Sequence, residues 1–108
     1  MYHFFDTEIA KTCGICEAVL FDRIGAMVFA CQACGENYYC GKFWLPKTIS
    51  EFASEFPYMS YRTIQRCLRH LEAEHLIETN KFSGRVNLYT LTEKGKRLYD
   101  LDGCIGLR

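Results

Sequence analysis

The sequence predicts a mainly α fold with small β-hairpins, on three observations. A short capped helix stops at Pro57 and is followed almost at once by a longer amphipathic one starting near Tyr61. Two strand-patterned runs then flank Ser83-Gly84. A long apolar helix, Ile15 to Cys34, and an aromatic hairpin precede both. Helix, short turn, longer helix, β-hairpin is the chain order of a winged helix-turn-helix, here with an N-terminal helical extension. One domain over residues 1–108 is expected. Residues 1–46 would hold the N-terminal helices and a hairpin, and 47–108 the helix-turn-helix, wing and C-terminal helix.

Asp6 can cap a short helix from Thr7 to about Cys13, which Gly14 stops. From Ile15 to Cys34, Leu20, Ile24, Met27, Val28 and Cys31 recur at helical spacing, and Gly35 ends the run. Asn37-Tyr38-Tyr39 and Lys42-Phe43-Trp44 flank Cys40-Gly41, a hairpin pattern that Pro46 closes. Thr48-Ile49-Ser50-Glu51 is a capping box, and Phe52 and Phe56 share a face of the helix it starts.

Ser60 caps the next helix, Tyr61 to about His75. Its expected inner face is Ile64, Cys67, Leu68, Leu71 and His75. Its outer face is Arg62, Gln65, Arg66, Arg69 and His70. Leu76 to Phe82 reads as a strand. Arg85 to Leu91 alternates polar and apolar, as a half-buried strand does. Thr92 opens a last helix through Leu98 and Tyr99.

Nearly half of the 108 residues are apolar, with eight Phe and seven Tyr, enough for a core and too many for a disordered chain. No run reaches the ~20 apolar residues of a membrane span. The start lacks a signal-peptide pattern, so a cytoplasmic location with reduced thiols is expected. Net charge is zero but unevenly spread. Residues 1–46 hold three Lys/Arg against five Asp/Glu, and residues 47–108 hold ten against eight. Tyr61 to Leu71 carries three arginines and no acid.

A helix-turn-helix places its second helix in the major groove, where Arg matches guanine and Gln matches adenine. Arg62, Gln65, Arg66 and Arg69 are therefore the expected base-reading residues. Ser60 and Tyr61 at the helix start are expected on phosphate, and Lys81, Ser83 and Arg85 at the hairpin tip on the backbone or minor groove. Lys42 and Lys47 are weaker phosphate candidates. Three arginines on a helix are by themselves an ordinary solvated face, and Glu72 and Glu74 are near enough to pair with Arg69. Their place on the second helix of this order turns the reading toward double-stranded DNA. The same fold also serves non-catalytic protein-interaction modules, which is the alternative function.

Tyr2-His3-Phe4-Phe5-Asp6-Thr7-Glu8-Ile9-Ala10, Tyr39-Cys40-Gly41-Lys42-Phe43-Trp44, Phe56-Pro57-Tyr58-Met59-Ser60, Leu68 to Ile77 and Tyr89 to Gly95 together resemble the N-terminal winged-helix domain of phage replication and replisome-organiser proteins. The sequence departs from that pattern at Cys40, where Asp is typical, and at His75, where Gly often closes the helix. The resemblance implies a DNA-binding domain of phage or prophage origin, serving replication or transcription, with phage or host replication proteins as partners.

Cys13-x-x-Cys16 and Cys31-x-x-Cys34 match a zinc-ribbon spacing. A helix between the pairs would hold Cys16 and Cys31 on the order of 20 Å apart, too far for one tetrahedral ion. Small apolar core positions are the preferred reading of these cysteines, and a zinc protein is the third function considered. His3, His70 and His75 are scattered, and no nucleophile–base pair, phosphate-cradling loop or carboxylate dyad is evident. No enzyme activity and no cofactor are expected. A single module makes a small contact area, so homodimers on paired half-sites are expected, with the apolar residues of Ile15–Cys34 facing either the interface or the core.

Overall fold

The computed structural model describes residues 14–103. The predicted Thr7–Cys13 helix, the first of the resemblance segments and Cys13 lie outside them. Helix α1 spans Ile15–Cys34. Two short strands, β1 (Tyr38–Tyr39) and β2 (Lys42–Phe43), form the expected hairpin, and β3 (Leu45–Lys47) follows. Helices α2 (Ile49–Glu55) and α3 (Tyr61–Ala73), strands β4 (Ile77–Ser83) and β5 (Val86–Leu91), and helix α4 (Glu93–Gly103) complete the chain. This is a winged helix-turn-helix, mainly helical with small hairpins. Among the described residues no helix is long and apolar enough to cross a membrane.

Several boundaries and faces differ from expectation. Pro46 does not close a section but sits inside β3, which pairs with β5 and makes a three-stranded sheet in the order β3-β5-β4. Proline is tolerated because β3 is an edge strand. Strand β5 is therefore central. Leu88, Tyr89, Thr90 and Leu91 are all buried, so its second half does not alternate as predicted. The hairpin covers the far face, where Thr90 Oγ1 donates to the Phe43 carbonyl at 2.7 Å.

Helix α1 is the hub of the core. Ala18, Leu20, Phe21 and Ile24 are fully enclosed, and they join Phe52 and Phe56 from α2, Ile64 and Leu71 from α3, and Ile77 and Leu91 from the sheet. Each large apolar side chain so buried contributes about 1.5–3 kcal/mol against exposure. Helix α4 packs against α1 through Tyr99, which stacks on Phe29 at 5.1 Å between centroids. Its close approach at Gly95 leaves no room for a Cβ against the Leu76 carbonyl.

Helix α3 ends earlier than predicted, at Ala73, and His75 is not part of its inner face. His75 is exposed and adopts φ 59°, the left-handed conformation usual for glycine. The Leu76 amide donates to the Leu71 carbonyl and the His75 amide to the Glu72 carbonyl, both at 3.0 Å. That pair of bonds is a Schellman closure, and Leu71 and Leu76 are both buried beneath it. The His75 carbonyl in turn accepts from Thr92 Oγ1, tying the helix end to the start of α4.

Candidate nucleic-acid interface

The two helices of the motif are set by their caps. At Thr48, the backbone N–H donates to Glu51 Oε1 at 2.9 Å, while the Glu51 N–H donates to Thr48 Oγ1 at 3.0 Å. Both halves of the predicted capping box are present. The turn closes when the Met59 amide donates to the Phe56 carbonyl at 2.9 Å, with Met59 buried. Ser60 then accepts from the Thr63 amide at 3.1 Å and donates to Thr63 Oγ1 at 2.9 Å. The Ser60 hydroxyl is thus engaged as a helix cap.

Helix α3 buries Ile64, Cys67, Leu68 and Leu71 and turns its opposite side outward. Tyr61 is 51% exposed, Arg62, Arg66 and Arg69 are exposed, and Gln65 is half-buried. The three arginines follow one another at spacings of four and three residues. They form a stripe about 10 Å long on one side of the helix. None of them is engaged in an ion pair among the described residues. Glu72 and Glu74 do not pair with Arg69.

The structure brings helix and wing together across a cleft. Gln65, Arg69 and Glu72 line it from α3, and Asn80, Lys81 and Asn87 from the sheet. Lys81 and Asn87 are cross-strand partners. Asn80 and Asn87 were not among the expected contact residues. The signal for Asn87 lay in the strand register opposite Lys81, which composition alone does not fix. Tyr89 closes the cleft floor. Its burial pushes the phenol above its ordinary pKa, and Asn87 Nδ2 donates to its oxygen at 3.3 Å. Lys81, Ser83 and Arg85 are all exposed at the wing tip. The tip itself is Gly84-Arg85, one residue later than the predicted Ser83-Gly84 turn.

Three expected surface groups lie elsewhere. His70 is not on the bare side of α3, because its Nδ1 meets Glu17 Oε2 of α1 at 2.9 Å. Lys47 is no phosphate ligand: its side chain is 5% exposed, and Nζ donates to Glu55 Oε2 at 2.6 Å. It also lies over the Phe52 ring, 4.9 Å from the centroid. Arg23 adds a second cation to Glu55, at 3.1 Å. Burial pushes the Glu55 carboxyl up, but the hydrogen bonds and charges of Arg23 and Lys47 outweigh it and hold the pKa below the ordinary value. Lys42 is spent on Glu78, at 2.8 Å.

Cys16 and Cys31 lie on the one continuous helix α1, about 22 Å apart along its axis. Among the described residues no group of three or more His, Cys, Asp or Glu is placed to hold a metal ion.

Residues 43–102 match the model of the HxlR-like helix-turn-helix family. Among solved structures, the chain is similar to the reduced form of the transcriptional regulator YodB from B. subtilis. The two are 27% identical with a TM-score of 0.46, over 56% of this chain and 62% of that one. The match thus spans less than two thirds of YodB's length. No curated protein matches. With more than half of its length matched, and with the capped helix pair and wing that the match spans, the chain belongs to the HxlR-like helix-turn-helix family.

Proposed function

We propose that this chain is a non-catalytic regulator of transcription that binds double-stranded DNA. Helix α3 enters the major groove with Arg62, Gln65, Arg66 and Arg69 toward base edges. The helix start at Ser60 and Tyr61 meets phosphate, through backbone amides more than through the Ser60 hydroxyl, which its cap already uses. Lys81, Ser83 and Arg85 hold the backbone or minor groove beside it. The observation that carries this reading is the arginine stripe on the second helix of the motif, without ion-pair partners among the described residues and joined at Arg69 by one cleft to Lys81 of the wing.

Family membership favours regulation of transcription over replication. Phage origin and replication partners rest on the sequence resemblance alone. A homodimer, seated on α1 where Ile15 and Phe29 are exposed, would present two such helices to paired half-sites. Its working place would be the cytoplasm.

Binding of a labelled duplex at increasing salt tests the reading. With Lys81 and Arg85 on phosphates, log affinity should fall against log salt with a slope on the order of −2 per chain. Absent or salt-insensitive binding contradicts it.

A further inference from the structure

The wing carries a feature that phosphate contact does not explain. Phe82 is 56% exposed, one residue before the tip pair Ser83–Val86. A β-bulge between Lys81 and Ser83 takes it out of the regular ladder. Its neighbours are cationic: from Thr79 to Thr92 the chain holds Lys81 and Arg85 and not one Asp or Glu. A large apolar ring set in an acid-free, positive hairpin tip suits a polyanion with apolar gaps, which is what stacked base steps between phosphates offer.

The ring is also braced. Tyr39 of β1 lies beside it, 6.3 Å between centroids and tilted by 34°. The Trp44 indole N–H fixes that strand by donating to the Tyr39 carbonyl at 3.0 Å. Lys42–Glu78 and Thr90–Phe43 then fasten the small hairpin to the wing sheet.

We propose that Phe82 is a wedge. It enters a base step from the minor groove and bends the duplex, with Lys81 and Arg85 on the flanking phosphates and Tyr39 bracing the ring. The proposal rests on the duplex-binding reading above and adds a deformation to it. Apolar side chains inserted in this way kink DNA by about 20–90°. Sequence preference for an easily unstacked pyrimidine–purine step follows.

The test is energy transfer between dyes at the two ends of duplexes of about 40 base pairs, recovered with the wild-type protein from a random pool. Bound wild-type protein should shorten the end-to-end distance. Phe82→Ala should bind the same duplexes within about tenfold of wild type and lose more than half of the bend. Phe82→Leu, which keeps an apolar wedge, should retain it, and Tyr39→Ala should fall between. A wild-type complex whose duplex stays straight, or an equal bend with Phe82→Ala, overturns the wedge and leaves duplex binding standing. An unchanged bend with an altered sedimentation of Phe82→Ala also overturns it, and marks the patch as a contact between copies. Recovery of no duplex at any salt overturns duplex binding itself, and the wedge with it.

Discussion

One buried and one half-buried side chain show how burial and partnership move acidic groups in opposite directions. Cys67 sits fully enclosed on the inner face of α3, where burial and then the nearby Glu17 carboxylate push its thiol up to about 12. Cys34 and Cys40 are exposed. In a mildly alkaline buffer an alkylating reagent should label Cys34 and Cys40 and spare Cys67 until denaturant is added, as peptide mass spectrometry would show. Equal labelling of Cys67 in the native protein would mean that α3 is not packed as described. Glu55 is the opposite case, held ionised between Arg23 and Lys47. Its folded pKa lies below the ordinary 4.5, so its contribution is complete above that value and is lost as pH falls through the lowered one. Glu55→Gln strands Lys47 in the core and should cost about 3 kcal/mol at neutral pH. Thermal melts should also show a shallower loss of stability on acidification than in wild type. Lys47 and His70 were misplaced by sequence reasoning because their partners, Glu55 and Glu17, come from other elements, α2 and α1. Nothing in the spacing of a lysine before a capping box says that its ammonium points inward.

At the scale of elements, the motif was legible wherever local chemistry decides it. The hydroxyls of Thr48 and Ser60 start α2 and α3, and Pro57 separates the two helices. What could not be read was pairing. β3 owes its existence to β5, 40 to 44 residues away, and a three-residue run containing Pro46 has no strand signal of its own. The continuous burial of Leu88 to Leu91 follows from the same pairing, since a central strand covered on both faces does not alternate. His75 shows a local rule met by an unusual residue. The Schellman closure of α3 needs a left-handed residue, and a histidine there carries a Cβ penalty that glycine does not. His75→Gly keeps both closing bonds and the carbonyl that accepts from Thr92. It should therefore raise stability by about 1 kcal/mol, or about 5 °C in Tm. A lower Tm would show that the imidazole itself stabilises the junction with α4.

Over the whole molecule, a formal charge of zero conceals a division of labour. Among the cations that meet acids, Arg23, Lys42 and Lys47 lie in or beside the N-terminal half, where they fasten α1, α2 and the small hairpin to the rest, while Lys96 meets Glu93 within α4. Arg62, Arg66, Arg69, Lys81 and Arg85 have no such partners among the described residues. They stand on α3 and the wing, as a surface meant for an anion would arrange them. Arg66→Ala/Arg69→Ala removes two of these charges from an exposed face and leaves the core of α3 untouched. Measured by duplex-binding anisotropy on the preferred duplex and on a scrambled one, the double variant should bind the preferred duplex at least about tenfold more weakly than wild type. Its discrimination between the two duplexes should narrow by a similar factor. Affinity and discrimination both unchanged would contradict the assignment of α3 as the DNA-reading helix.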